Sequence, residues 1–327
     1  MCIRDSTYTV SLAAAKDPGY TIEGNGSYTV TSADGLINVA ELVNGGKTDI
    51  NITLGKNIDL TGKGWTPIGT NYEKRYKGTF DGRGHTIKGL TVTTNDQFVG
   101  LFGYLDKAGT VKNVVMEGIQ ITSNHVLMSG NTGGVVGYSW GTIENCSVSG
   151  SVSGTVYVGG VVGAQIGGSI TGCSSSATVK GTVDVGGVAG QTNSSATLTA
   201  CYATGNVTLE IDSPKNLSGG GLVGFNGGSS VLACYATGNV TSTGSSTGNV
   251  HIGGFLGDNY TTVTACYWKN NHEQGIGYNN KVTEATKVDG TDVTWQKAVD
   301  AMNTALQTAG SKWRYELNGA LPTLRKL

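Results

Sequence analysis

The chain has 327 residues, with 22 Lys and Arg against 23 Asp and Glu, a formal charge of −1, and 53 glycines. The near-zero charge excludes the basic footprint that nucleic-acid and anionic-membrane binders need to release counterions, and no apolar run approaches the ~20 residues of a membrane-spanning helix. Glycine without a Gly-X-Y period excludes collagen, and regularly placed Val, Ile and Leu argue against a disordered chain.

Residues 1–6 read Met-Cys-Ile-Arg-Asp-Ser and resemble the translation of a transposase adapter used in sequencing-library preparation. They are set aside as foreign, so Cys2 leaves the cysteine arithmetic and the native start is expected elsewhere. The lack of a leader therefore carries no information on secretion. Residues 7–27 read as a linker or the end of a preceding domain. Within 34–44, Leu36, Ile37, Ala40 and Val43 share one helical face and Gly45 stops it, so 28–50 reads as an N-terminal helical cap. Residues 51–60 form the first expected strand and open a repeat region over 51–270.

Repeats dominate that region. Residues 201–208 and 234–241 both read Cys-Tyr-Ala-Thr-Gly-Asn-Val-Thr, and Gly-Gly pairs start at 133, 159, 186, 220 and 253, spaced 26, 27, 34 and 33. Cys146, Cys173, Cys201, Cys234 and Cys266 follow these pairs by 13, 14, 15, 14 and 13 residues. Fixed register with insertions confined to polar loops is solenoid behaviour. Each repeat holds short β-prone pieces that cannot bury an apolar face alone. They must stack as parallel strands ~4.8 Å apart, giving about eight coils and a rod of about 40 Å. Residues 271–327 read as a C-terminal cap: a helix over 294–309, with Thr294 at its N-cap and Trp295, Ala298, Val299, Met302 and Leu306 on one face, then a strand over 313–317.

The pattern Gly220-Gly221-Leu222-Val223-Gly224-Phe225-Asn226, followed by Cys234-Tyr235-Ala236-Thr237-Gly238, resembles the GLUG-motif repeats of bacterial surface and adhesin-like proteins, which also occur beside IgA-cleaving metallopeptidases. The segments 65–69 and 78–87 are similar to stretches that precede such repeats. The resemblance implies an all-β fold, a right-handed parallel β-helix (β-solenoid) of about eight coils with short helical caps; the hand and cross-section rest on it alone. It implies a location, extracellular or at the bacterial cell surface, and no particular activity.

Chemistry-bearing residues are sparse. The cysteine column reads as a buried ladder of small apolar side chains, because stacked Cβ atoms ~4.8 Å apart exceed the ~3.5–4.5 Å of a disulfide. No Cys-x-x-Cys suggests zinc, no His-Glu-x-x-His is present, and no cofactor is expected. Tyr202, Tyr235 and Tyr267, with Trp268, follow cysteines and are expected to point outward, as a ligand stripe or as a strip covered by loops. Tyr157, Asp184 and His251 stand two before their Gly pairs, with Gln97, Asn131 and Ser218 in equivalent places, and read as an outward polar stripe. The paired apolar residues at Val135, Val161, Val188, Leu222 and Phe255 leave open whether one face is a docking strip. The favoured function is a non-catalytic surface-exposed or secreted module presenting loops and aromatic side chains to a glycan or protein. The alternative is a polysaccharide lyase or glycoside hydrolase, which would need Asp81, Glu144 and Asp184 in one groove. An ice-binding face would need a Thr array of which only Thr91-Val92-Thr93 gives a hint.

Overall fold

The computed structural model describes residues 17–125, 129–211, 216–281 and 283–327. The adapter-like residues 1–6 lie outside them. Parallel stacking builds the body: Ile52, Phe80, Val111, Ile143, Ile170, Leu198, Val231 and Val263 pair in register, each on the next. Eight rungs enclose seven turns, about 34 Å at the ~4.8 Å spacing of paired strands. The turns contribute to three sheets of 15, 13 and 6 strands, and one further hairpin stands apart. The molecule is a parallel β-helix.

Each turn has the same interior. The column headed by Ile52 is buried throughout. A second inward column runs Ile87, Met116, Val148, Ser175, Ala203, Ala236 and Trp268. A third, in the 6-stranded sheet, holds Val99, Thr132, Val158 and Val185. Fully burying a Val, Leu or Ile contributes about 1.5–3 kcal/mol, and the ladder repeats that gain from rung to rung.

Between the first and second columns the chain turns sharply. Asn113, Asn145, Ala200, Ala233 and Ala265 have φ of +50° to +56°, and Gly172 has +64°. Each stands directly before Val114 or a cysteine. The bend points the carbonyl two residues before each cysteine at its sulfur: Sγ lies 3.3 Å from Glu144 O in Cys146, 3.5 Å from Thr171 O in Cys173, and 3.3 Å from Leu232 O in Cys234. The five cysteines are buried and form no disulfide.

Helix α1 (Ala33–Asn44) packs Leu36, Val39, Ala40 and Val43 against the first turn, and its N-cap Ser32 accepts from Gly35 N at 3.0 Å. Val39 takes the inward place expected of Ile37. Helix α2 (Trp295–Thr308), with Thr294 Oγ1 accepting from Lys297 N at 3.3 Å, is followed by an antiparallel hairpin of Trp313–Glu316 with Thr323–Lys326. This unit lies along the flank of the rod. Trp295, Met302, Leu306, Trp313 and Tyr315 form one buried cluster with Ala200, Ala233, Tyr235 and Tyr267.

The interior assignment has a direct check. Cys234→Val should cost less than about 1.5 kcal/mol, because volume and polarity are nearly kept. Val223→Asp and Cys234→Asp should cost several kcal/mol by burying an unpaired charge. Urea unfolding followed by circular dichroism measures all three, and equal tolerance would contradict the inward placement.

A candidate binding cleft beside the glycine bend

At each Gly-Gly pair the strand alternation breaks. The N–H groups of Val135 and Val136 both donate to Val161 O, at 2.9 and 3.1 Å, and those of Val161 and Val162 both donate to Val188 O, at 2.9 and 3.0 Å. Two successive N–H groups on one carbonyl mark a bend, and it turns both apolar residues inward. Val135, Val161, Val188, Leu222 and Phe255 are fully buried, as are their neighbours Val136, Val162, Ala189, Val223 and Leu256. Neither face is left as a docking strip. After the bend the two flanking strands meet backbone to backbone: a Cβ on Gly137 would lie 2.9 Å from Asn131 O, and one on Gly163 would lie 2.6 Å from Thr132 N. Only glycine permits that approach.

The bend sets two columns of side chains face to face. One runs Phe98, Asn131, Tyr157, Asp184, Ser218 and His251. The other runs Tyr104, Tyr138, Ala164, Gln191, Phe225, Asp258 and Tyr278. Towards the N-terminal end the walls are aromatic. Ring centroids are 5.4 Å apart for Phe98 and Tyr104, 5.6 Å for Phe98 and Tyr138, and 4.9 Å for Tyr104 and Tyr138. A cavity of about 560 Å³ lies among Tyr72, Phe98, Tyr104, Asn131, Tyr138 and Tyr157. A neighbouring one of about 490 Å³ adds Trp140, Lys107 and Arg75; the Arg75 guanidinium sits 4.2 Å over the Tyr72 ring and pairs with Asp106.

Further along, the cleft becomes polar. Ser218 Oγ donates to Asp258 Oδ2 at 2.6 Å, and His251 Nδ1 lies 2.6 Å from Asp258 Oδ1. The His251 ring stacks on Tyr278 at 5.1 Å, and Tyr260 links Tyr278 to Phe225. Burial pushes the Asp184 carboxyl well above the usual carboxylate range, with the charge of Asp258 adding to the shift and a hydrogen bond with Ser218 opposing it. Among the described residues no group of three or more His, Cys, Asp or Glu is arranged to hold a metal ion.

The residues singled out from sequence divide between the cleft and the flank. Tyr157, Asp184 and His251 share one wall of the cleft, but Asp184 is buried rather than part of a solvated stripe, and the partner of Asn131 is Phe98, not Gln97. Of the two readings of the tyrosine strip, the structure shows a covered one, with Tyr202 half-buried at its edge. Tyr202 and Tyr235 stack at 4.9 Å, but Tyr235 and Tyr267 are buried beneath α2 and the hairpin. Trp268 is buried in the rod interior, on the opposite face from Tyr267, because strand side chains alternate. Cys146, Cys173, Cys201, Cys234 and Cys266 all line the interior, and burial pushes the Cys146, Cys201 and Cys234 thiols up.

The acids tested for convergence separate. Asp81 pairs with Lys112 at 3.6 Å and Glu144 pairs with Lys326 of the hairpin, both away from Asp184. Asp258, which meets the Asp184 and Ser218 wall across the bend, was missed, as were Tyr104 and Tyr138. The available signal was the residue after each Gly-apolar-apolar-Gly run. Thr91 and Thr93 stack on Gln120 and Thr122, which in turn stack on Ser151 and Ser153, so no regular Thr array forms.

A raised carboxyl pKa in the folded state favours the protonated form. The stability it gives is full below the unfolded value of about 3.9 and is lost as pH rises towards the folded value. Asp184→Asn removes that loss. Relative to wild type, the variant should gain stability between pH 4 and pH 7 in urea titrations; a difference independent of pH would show that Asp184 does not hold its proton.

Three comparisons bear on this architecture. The GLUG motif matches residues 128–153, 154–180 and 216–241. Halomucin of Haloquadratum walsbyi is 37 % identical over 121 residues, 34 % of this chain and 1 % of the halomucin chain. A protein of Evansella cellulosilytica, provisionally named a Gly-rich membrane protein, is 32 % identical over 131 residues, 37 % of this chain and 14 % of that one. The chain thus spans a small part of the curated relatives it matches. A crystal structure from Bacteroides ovatus, provisionally named an immunoglobulin A1 protease, superposes with a TM-score of 0.72 over 95 % of each chain at 20 % identity, a likeness of fold. This chain carries GLUG-motif repeats wound into a parallel β-helix.

Proposed function

We propose that the chain is a non-catalytic structural module of a cell-surface or secreted bacterial protein, and that the cleft beside the glycine bend holds an extended glycan. The aromatic end of the cleft carries this reading. Tyr72 is 65 % exposed and Trp140 is 39 % exposed, beside a wall of Phe98, Tyr104 and Tyr138 rings. Exposed rings on a rigid sheet offer flat apolar faces to the C–H faces of sugars, with polar edges for hydroxyls. The GLUG repeats support a surface setting, as do the names of the two relatives, halomucin and a Gly-rich membrane protein. Among the described residues no helix is long and apolar enough to cross a membrane.

A second reading, a polysaccharide lyase or hydrolase, is favoured by one observation: Asp184 and Asp258 meet in the cleft with Asp184 held towards its protonated form. An acid and a carboxylate flanking a glycosidic bond are the usual hydrolytic pair. Against it, both are at most 6 % exposed, and Asp258 is already engaged by Ser218 and His251.

Affinity electrophoresis through gels containing soluble polysaccharides tests the binding reading. At least one polysaccharide should retard the protein. Tyr72→Ala and Trp140→Ala should each weaken that retardation about two- to twelvefold, the range for loss of one aromatic contact of ~0.5–1.5 kcal/mol. Absence of retardation by a broad panel, or variants that bind as wild type, would refute it. Release of new reducing ends from the same polysaccharides, abolished by Asp258→Asn, would favour the enzyme instead.

A further inference from the structure

At the aromatic end of the cleft one buried acceptor stands without a donor. Asn131 is 2 % exposed and lines the aromatic cavity. Its Nδ2 donates to Ser129 O at 2.5 Å, whereas its Oδ1 is buried with no hydrogen-bond partner. Deeper in, Ser218 gives its hydroxyl proton to Asp258, so that wall also presents oxygen lone pairs. The Arg and Lys side chains near the cleft are engaged or peripheral: Arg75 pairs with Asp106, and Lys107 is exposed at the rim.

A buried amide oxygen without a donor is costly, and a ligand hydroxyl relieves that cost. A ligand carboxylate would instead bring a second acceptor towards Asn131 Oδ1, with no buried unpaired Lys or Arg to meet it among the described lining residues. The exposed Lys107 gives little compensation, since surface ion pairs are weak and screened. From Phe98 to His251 the wall rises five rungs, about 24 Å, which suits a chain rather than a single ring.

Resting on the carbohydrate reading above, we infer that the cleft selects neutral, hydroxyl-rich saccharide chains over uronate-bearing ones, with Asn131 Oδ1 accepting a hydroxyl of a sugar seated among Phe98, Tyr104 and Tyr138. The aromatic rings set where the sugar lies, and the lone acceptor sets how it is turned.

The test uses the full chain in affinity gels at about 0.15 M salt, where weak rim charges are screened. Galactomannan, xyloglucan and mixed-linkage glucan serve as neutral probes, polygalacturonate and alginate as acidic ones. Neutral probes should retard the protein and acidic ones should not. Asn131→Leu should lose about tenfold in retardation while its thermal unfolding stays cooperative. Should Asn131→Leu fail to fold, Asn131→Ala, which removes the acceptor without adding bulk, should show the same loss. Retardation by polygalacturonate or alginate equal to that by the neutral probes overturns the selectivity and leaves the carbohydrate reading standing. Unchanged retardation in the Asn131 variants overturns the role of Oδ1. Failure of every probe overturns both readings together.

Discussion

Two backbones in direct contact, with no side chain between them, are the constraint on which the rest of this molecule depends. At the Gly-Gly bend the missing Cβ atoms of Gly133 and Gly159 would each lie 2.7 Å from the Cα of the facing strand in the next turn, Val162 and Ala189. No other residue fits there, so the pair recurs at 133, 159, 186, 220 and 253, while the corners at Val99-Gly100 and Gln274-Gly275 keep one glycine. The bend then does two things at once. It sends two consecutive apolar residues inward where a straight strand would send one, which adds to the core at that corner. It also folds the outward columns of adjacent strands towards each other. A wider corner would leave Asn131 and Tyr138 on diverging faces, with no cleft between them.

The corner before the cysteines obeys a different rule. A left-handed residue there costs about 1–2 kcal/mol unless it is glycine, with Asn better tolerated. The first rungs use Asn113 and Asn145, and Asn145 Nδ2 donates to Asn113 Oδ1 at 2.8 Å, so the strained position also builds a ladder. The later rungs use Gly172, Ala200, Ala233 and Ala265. The change coincides with the footprint of the C-terminal unit: a Cβ on Gly172 would strike the Trp313 ring, and Tyr315 Oη donates to Ala233 O at 2.9 Å. Small residues persist under the hairpin because an Asn side chain would hold it off. The outward column changes in step, from Val115, Ser147 and Ser174 to Tyr202, Tyr235 and Tyr267, the tyrosines appearing where α2 and the hairpin pack.

This explains what could be read in advance and what could not. The Gly-Gly spacing and the cysteine register report stacking directly, since both are imposed by contacts between equivalent residues one turn apart. The parallel β-helix was legible for that reason. Alternation after each cysteine also places the tyrosines outward, but outward is not the same as exposed. Covering depends on a segment more than 20 residues downstream, and its trace in the repeats is the change from Asn to Ala described above. Trp268 illustrates a simpler limit: grouping it with Tyr267 overlooks the period of two, which puts neighbours on opposite faces. Counting Gln97 in place of Phe98 is the same one-residue slip, and it exchanges a polar wall for an aromatic one. The Asp258 contact with Ser218 crosses the bend between different strands, so no spacing within one repeat reveals it.

Inside and outside of the rod are therefore under separate control. Stability comes from interior columns that repeat Val, Ile, Leu and Cys, and from nearest-neighbour stacking. The cleft walls vary freely from rung to rung, through Tyr138, Ala164, Gln191, Phe225 and Asp258 on one side alone. A wall that served only to close the bend could be neutral throughout, and the column shows as much, since it accepts Asn131 and Ser218 at the places equivalent to Asp184. Asp184 instead keeps a carboxyl whose ionisation burial opposes. The interior columns thus fix the fold, and the chemistry that differs from rung to rung lies in the cleft columns.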